Sequence, residues 1–256
     1  VAAATATRPA VSARKGVSAR TFSGADQALA ASGAGWYYTW STTHAGLTTP
    51  AGVQFVPMIW GAASVTDDAL AQARANGPDL LTFNEPDRSD QANLTPTQAL
   101  NLWPQLMASG MTLGSPSVSS GATDPSGWLG RFMSGAAARG YRVDFITLHW
   151  YASDFSSAAS TARLRGYIQA VYNRYHRPIW LTEYALINFA GGASHYPSDA
   201  QQAAFITAST QMLDGLPYLA RYAWFTLPAK DTGPSTGLYH SGARPTAAGR
   251  AFAAAR

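Results

Sequence analysis

The sequence predicts an α/β fold, a single (β/α)8 TIM barrel, and three observations support this prediction. Short apolar runs rich in β-branched and aromatic residues alternate with Ala-rich segments of helical character along most of the chain. The apolar runs are nearly continuous, which is typical of parallel strands that helices cover. Eight such units fit the 256 residues of the chain, a usual length for this barrel.

Each candidate strand is a short apolar run that ends in polar or aromatic residues. Pro57 lies inside the third candidate and cannot donate a ladder hydrogen bond, so we expect a bulge or an early end to the pairing there. The eight candidates are residues 15–19, 34–40, 53–60, 79–86, 111–118, 144–151, 177–185 and 220–227.

Helix candidates follow most of these strands, and two begin with recognisable caps. Thr66 precedes acidic Asp67, and Thr95 precedes Pro96. The connection 41–52 is the weakest and holds at most a turn of helix. A doubly wound open sheet is the alternative fold, but the start of the chain lacks its glycine-rich phosphate-binding turn. The seven candidates are residues 23–32, 65–76, 95–109, 126–139, 158–176, 199–214 and 246–255.

Composition excludes several classes of function. Only 12% of residues are charged, and the basic residues behind the net charge of +4 are scattered, so there is no footprint for nucleic acid. No apolar run approaches the roughly 20 residues that span a bilayer. The chain has no cysteine, which removes disulfides, zinc–thiolate sites and cysteine nucleophiles. This composition favours an uncharged partner.

The beginning of the chain differs from the rest. It is rich in Ala, Thr and Ser and lacks the charged and apolar regions of a signal peptide. We therefore expect residues 1–14 to be a disordered or processed leader and residues 15–256 to form the barrel.

Two glutamates end candidate strands four and seven, and they are the candidate catalytic residues. The loops after all strands of such a barrel meet on one face, so Glu85 and Glu183 would face each other across its mouth. By the two-residue strand period Glu85 shares a phase with Leu81, and Glu183 with Leu181, which points both carboxylates into the barrel. Each alone could be a helix-cap neighbour or an ion-pair partner. As a pair at matching strand ends they are typical of glycoside hydrolysis.

The direction of Asn84 stays open at the level of sequence. Strict alternation turns its side chain away from Glu85, and only a bulge or a turn at Pro86 could bring both into one site. Pro86 also biases Glu85 towards an extended backbone.

Aromatic side chains at strand ends are candidate sugar-binding residues, because the apolar face of a sugar stacks on an aromatic ring. Trp180 is out of phase with Glu183 and is expected between barrel and helices, and Trp103 in the core. We expect His149 to contact ligand or carboxylate rather than a metal, since no second histidine lies at ligand spacing. Neither metal nor cofactor is expected. The candidate substrate-binding residues are Asn84, Trp40, Trp60, Trp128, His149, Tyr151 and Trp224.

Five motifs lie between Lys15 and Leu227, and they read KGVSA, FVPMIWG, LLTFNEPD, FITLHWY and WLTEYAL. Together they resemble bacterial-type members of glycoside hydrolase family 128 of clan A. The resemblance implies a secreted endo-β-1,3-glucanase on a (β/α)8 barrel that works with retention. It implies that Glu85 is the acid/base, that Glu183 is the nucleophile, and that Asn84 binds the sugar hydroxyl next to the anomeric carbon. It also implies a non-proline cis peptide at Trp224–Phe225.

The predicted partner is a β-1,3-glucan polysaccharide or oligosaccharide, met outside the cell by a monomer without nucleic-acid or membrane contacts. Two alternatives remain open at this level. One is a clan A glycosidase that acts on another β-glycan, and the other is a non-catalytic glucan-binding barrel. Binding alone does not require carboxylates at both strand ends, which disfavours the second.

Overall fold

A computed structural model describes residues 12–255, and they form the predicted alternation of strands and helices. The strands are β1 Ser12–Ser18, β2 Ala34–Tyr38, β3 Gln54–Phe55, β4 Met58–Ile59, β5 Asp79–Asn84, β6 Thr112–Ser117, β7 Ile146–Ala152, β8 Ile179–Leu186, β9 Leu219–Trp224, β10 Tyr239–His240 and β11 Arg244–Pro245. The helices are α1 Ala25–Ala31, α2 Asp67–Asn76, α3 Pro96–Ala108, α4 Trp128–Ala138, α5 Ser157–Tyr175, α6 Asp199–Asp214 and α7 Ala247–Ala254.

Every predicted strand and helix is present within a few residues of its expected bounds. Thr66 and Thr95 cap α2 and α3 as predicted, each accepting a hydrogen bond from a backbone N–H three residues on. Residues 12–14 of the predicted leader belong to β1, and residues 1–11 lie outside the described residues. No helix among residues 12–255 is long and apolar enough to cross a membrane.

The parallel strands follow the circular order of an eight-stranded barrel, with two interruptions. One sheet has the order β3-β2-β1-β9-β8-β7, and the other has the order β4-β5-β6. The first seam lies at Val56 and Pro57, which separate β3 from β4, so the expected early end of pairing at Pro57 is confirmed. At the second seam, isolated pairings of Gly114 with Phe145 and of Val118 with Leu148 join β6 to β7. The predicted fold class is confirmed, although no continuous closed sheet runs through the described residues.

Two apolar clusters occupy the two faces of the strands. The larger one joins the outer strand faces to the helices. The smaller one fills the barrel, and it contains Trp180, which stacks on Phe145 at 4.2 Å between ring centroids. The prediction that Trp180 lies between barrel and helices is therefore wrong, whereas buried Trp103 lies in the core as expected. The interior cluster consists of Trp36, Tyr38, Val56, Met58, Leu81, Phe145, Trp180 and Ala223.

A bulge in β8 explains why the predicted phase failed while Glu183 still reaches the mouth. Leu148 and His149 of β7 pair with Leu181 and Glu183, so β8 carries one additional residue, Thr182. Leu181 packs in the outer cluster. The additional residue shifts the alternation by one, and Glu183 therefore faces inward.

Candidate active site

The strands β5 and β8 bring Glu85 and Glu183, the only two glutamates of the sequence, to the same end of the barrel. One oxygen of each carboxylate and one ring nitrogen of His149 lie within 4.8 Å of one another. His149 Nδ1 is 3.0 Å from Glu85 Oε1 and 3.5 Å from Glu183 Oε2. The side chain of Glu85 is 14% exposed and that of Glu183 is 6% exposed. The predicted pair is therefore adjacent and nearly buried.

The backbone at Glu85 has an unusual conformation. Glu85 follows the last residue of β5 and has a φ of 41°, in the left-handed region that non-glycine residues rarely adopt. The expectation of an extended backbone before Pro86 is therefore wrong. The strain is held by neighbouring strands, since the N–H of Glu85 donates to the Ser117 carbonyl at 2.8 Å and that of Asn84 to the Trp60 carbonyl at 2.9 Å.

Asn84 lies beside Glu85 and is buried. Its Nδ2 donates to Gln91 Oε1 at 3.1 Å, and its Oδ1 is a buried atom with no partner among the described residues. The pairing of β5 with β6 shifts register between Thr82 and Asn84, so the strand period no longer separates the two side chains. Whether Asn84 binds a sugar hydroxyl stays a prediction.

Three donors converge on Glu183. Its Oε1 accepts from Trp40 Nε1 at 2.8 Å and from the Tyr38 hydroxyl at 3.1 Å, and its Oε2 accepts from the Tyr151 hydroxyl. An ionised carboxylate only accepts hydrogen bonds, so this set of donors matches the charged form. The donors also satisfy a group whose burial would otherwise be costly.

Charge and burial act together on the neighbours of the two glutamates. Burial raises the pKa of Tyr38 and of Tyr151 well above 10, and the charge of Glu183 raises both further, so both phenols remain donors. Burial alone would lower the pKa of His149. The charge of Glu183 and the hydrogen bond with Glu85 outweigh this effect, and the pKa of His149 is raised above 6.5.

Glu85, His149 and Glu183 lie close enough together for each to offer one ligand atom to the same metal ion. His149 Nδ1, however, faces Glu85 Oε1 at hydrogen-bond distance, and the raised pKa of His149 keeps a proton on the ring over a wider pH range. His149 therefore contacts the carboxylates of Glu85 and Glu183, and contact with a carboxylate is what the sequence predicted for it.

Aromatic rings line the Glu183 side of the site, and one of them was not predicted. Phe225 contacts Trp40 at 5.9 Å and Tyr151 at 5.6 Å between ring centroids, both edge to face. Ala223 lies on the inner face of β9, and Trp224 therefore lies on the outer face. Phe225, the next residue, faces the mouth. Trp224 is fully buried and donates to the Thr236 carbonyl at 2.7 Å. The prediction that it binds substrate is therefore wrong.

The non-proline cis peptide also lies one residue later than the resemblance implied, at Phe225–Thr226 instead of Trp224–Phe225. Trp60 is half-buried and packs against the interior cluster. Trp128 donates to the Leu94 carbonyl at 2.6 Å and stacks on Phe132, so its contacts are those of the helix layer. Substrate binding by Trp60 and Trp128 stays a prediction.

Sequence reasoning missed two further neighbours of the glutamates. Tyr38 reaches Glu183 from β2, and nothing in an apolar strand interior indicated this contact. Arg88 Nε lies 3.6 Å from Glu85 Oε2, while its guanidinium also donates to both oxygens of Asp90. A charge three residues after a candidate acid is the signal that could have identified Arg88.

Comparison with known proteins identifies the family. Residues 16–252 match the model of a family described as glycosyl hydrolase catalytic core. A crystal structure of a family 128 subgroup I endo-β-1,3-glucanase from Amycolatopsis mediterranei, in complex with laminaritriose, is 59% identical to the chain with a TM-score of 0.92. The match covers 96% of this chain and 100% of that one. The chain belongs to glycoside hydrolase family 128.

The chain is also similar to a more distant family 128 structure and to a curated fungal protein. A subgroup II endo-β-1,3-glucanase from Sorangium cellulosum is 27% identical with a TM-score of 0.78, over 95% of this chain and 98% of that one. The alkali-sensitive linkage protein 1 of Schizosaccharomyces pombe is 34% identical over 212 residues. The chain aligns with 36% of the length of that curated relative, and the match covers 80% of the chain.

Proposed function

We propose that this family 128 chain hydrolyses β-1,3-glucan as a retaining endo-β-1,3-glucanase. The observation that carries the proposal is the short separation of Glu85 and Glu183, since one oxygen of each carboxylate lies within 4.8 Å of one oxygen of the other. Retaining glycosidases hold their carboxyl groups roughly 5–5.5 Å apart, whereas inverting enzymes leave roughly 6.5–9.5 Å for a water molecule. The relatives of known structure that act on β-1,3-glucan support the choice of substrate.

The surroundings of the two carboxylates distinguish their roles. Glu183, held by Trp40, Tyr38 and Tyr151, is the nucleophile that attacks the anomeric carbon. Glu85, the more exposed of the two, donates a proton to the leaving glycosidic oxygen. In the second step Glu85 takes a proton from water, the water oxygen attacks the anomeric carbon, and the bond to Glu183 breaks.

Neighbouring residues position the two groups in this scheme. Tyr38, Trp40 and Tyr151 fix the plane of the Glu183 carboxylate, and His149 keeps Glu85 close to it. Asn84, with its unpartnered Oδ1, is suited to a sugar hydroxyl at this end of the barrel. Since every residue of the site belongs to one chain, we propose that a monomer is active. A polymeric substrate also supports an extracellular site of action.

The stereochemistry of the first product tests the mechanism. Proton NMR of laminarin during early hydrolysis should show the β-anomer first, because two inversions at the anomeric carbon give net retention. An initial α-anomer would contradict the role of Glu183 as nucleophile. A parallel assay with mannan and β-1,4-glucan should release little reducing sugar, and a preference for either would favour another β-glycan as substrate.

Substitution of the nucleophile provides the second test. Glu183→Ala should lower kcat on laminarin on the order of 10⁴-fold or more, because no covalent intermediate can form. Azide should restore part of the activity, since a small anion fits the space of the missing carboxylate. Glu183→Gln keeps the shape but fills that space, so it serves as the matched control that azide does not rescue. Equal behaviour of both variants with azide would leave the nucleophile unidentified.

A further inference from the structure

The turn after β5, residues 85–94, begins with Glu85 and is closed by its own hydrogen bonds. Glu85 has a left-handed backbone, and such a backbone persists only where neighbouring groups fix it. Within the turn, the N–H of Arg88 donates to the Glu85 carbonyl and the N–H of Leu94 donates to the Pro86 carbonyl, both at 3.0 Å. These two bonds close the turn upon itself, but they do not attach it to the neighbouring strand.

Asp87 attaches this turn to the loop after β6, residues 118–127. Its Oδ2 accepts from the Ser119 hydroxyl at 2.6 Å and from the Ser119 N–H at 3.2 Å, and its Oδ1 accepts from the same N–H at 2.9 Å. Both residues are half-buried. Hydrogen bonds to an ionised carboxylate are stronger than those between uncharged groups. Since Asp87 lies two residues after Glu85, this attachment acts on the backbone that bears the proposed acid/base.

The loop that binds Asp87 is itself fixed to the rest of the barrel. Directly before the loop, the Ser117 carbonyl accepts from the N–H of Glu85 at 2.8 Å. Further along it, the Ala122 carbonyl accepts from the Tyr175 hydroxyl of α5 at 2.8 Å. Ser119 lies between these two anchored positions, so it offers Asp87 a partner of fixed location.

We propose that Asp87 is a positioning residue for Glu85, because its hydrogen bonds to Ser119 hold the turn where the Glu85 carboxyl reaches the glycosidic oxygen. Proton transfer requires that carboxyl at hydrogen-bond distance from the leaving oxygen, and a misplacement of about 1 Å can lower a rate on the order of 100-fold. Asp87 needs no contact with substrate in this role. The proposal rests on the proposed β-1,3-glucanase function and adds a residue to its machinery.

The experiment compares a substrate whose leaving group requires a proton with one whose leaving group does not. Asp87→Ala should lower kcat on laminarin about 100-fold at nearly constant KM, because protonation by Glu85 assists the reaction and not the binding of glucan. 2,4-Dinitrophenyl β-laminaribioside releases a stable phenolate without protonation, so its kcat/KM should stay within about twofold of the unmodified chain. A general loss of structure would lower both values.

Azide gives a second readout, on the second step of the reaction. With the aryl glycoside, the covalent intermediate on Glu183 is attacked by water, which gives a proton to Glu85. Azide attacks the anomeric carbon without a base, the bond to Glu183 breaks, and a β-glycosyl azide forms. Azide should therefore raise kcat of Asp87→Ala on the aryl glycoside and leave kcat of the unmodified chain unchanged.

Two milder variants and one control separate the attachment from folding. Asp87→Asn retains Oδ1 as an acceptor for the Ser119 N–H, and Ser119→Ala removes only the hydroxyl bond. Each should therefore lose less activity on laminarin than Asp87→Ala, with the aryl glycoside again unaffected. The matched control is Asp124→Ala, which removes an exposed carboxylate of the same loop that bonds to Ser126. It should leave both activities unchanged.

Three results would overturn the proposal. Equal losses of kcat/KM on laminarin and on the aryl glycoside would mean that Asp87 supports the whole site instead of Glu85. An unchanged kcat of Asp87→Ala on laminarin would mean that the turn needs no attachment. If Asp87→Ala does not fold, the same two comparisons in Ser119→Ala decide. An unmodified chain that hydrolyses neither substrate would contradict the proposed glucanase function itself, and the role of Asp87 with it.

Discussion

At the scale of single residues, the two glutamates differ in what surrounds them. Glu183 accepts from three uncharged donors, whereas Glu85 faces the ring of His149 and the guanidinium of Arg88. Both positions could be predicted because a carboxylate at the end of an apolar strand is costly without a function. The contact of Tyr38 with Glu183 could not be predicted, because Tyr38 reaches Glu183 across the barrel from another strand, and a local sequence pattern does not encode such a contact.

The position of His149 between two carboxylates makes its charge part of the stability of the fold. Its pKa is raised in the folded chain, so the stabilisation is fully present below the unfolded value near 6.5 and is lost as the pH rises through the folded value. The free energy of unfolding should therefore fall from pH 6 to pH 8 more steeply in the unmodified chain than in His149→Gln. Urea unfolding of both chains at pH 6 and at pH 8 measures this difference. An equal change in the free energy of unfolding in the two chains would contradict a charged His149.

At the scale of elements, the sequence predicted which segments form strands and helices better than which way strand side chains face. Hydrophobic runs and caps are local features, so the eight predicted strands, the third of which is divided into β3 and β4, and the seven predicted helices are all found within residues 12–255. The two-residue strands β10 and β11 were not predicted. The facing of Leu181 and Trp180 could not, because it depends on the bulge at Thr182, and a bulge is defined by the partner strand. The same holds for Glu85, because β5 shifts register on both sides of Thr82 and then ends at a left-handed residue.

Close packing inside the barrel gives a prediction for β1. A Cβ on Gly16 would lie 2.3 Å from Cε2 of Trp36, whose rigid indole fills the interior cluster. Gly16→Ala should therefore lower the free energy of unfolding by about 1–3 kcal/mol. Gly166→Ala is the matched control, because Gly166 lies within α5 with nothing near the added methyl group, and it should stabilise by about 0.5–1 kcal/mol. Denaturant unfolding measures the free energy of unfolding of both variants. A change of the same sign in the two variants would contradict the packing argument.

At the scale of the whole molecule, two cationic side chains of β1 bind the C-terminal ends of α6 and α7. The guanidinium of Arg14 donates to the carbonyls of Leu213, Asp214 and Leu216 at the end of α6. The ammonium of the adjacent Lys15 donates to the carbonyls of Phe252, at 2.8 Å, and Ala255 at the end of α7. Both cations lie where the helix dipole favours positive charge. Closure of the barrel between β1 and β9 is thus coupled to docking of the C-terminal helix.

This coupling has a signature in pH because Lys15 is fully buried. Burial lowers its pKa from 10.5 to about 8, an effect that the charge of Asp214 opposes. Between these values the unfolded chain binds a proton that the folded chain does not, so stability due to Lys15 rises with pH in this window, by up to about 3 kcal/mol. Thermal unfolding at pH 7.5 and pH 9.5 should show this rise in the unmodified chain and lose it in Lys15→Met. If both chains respond equally to pH, Lys15 stays charged in its buried position and the opposing charge of Asp214 outweighs burial.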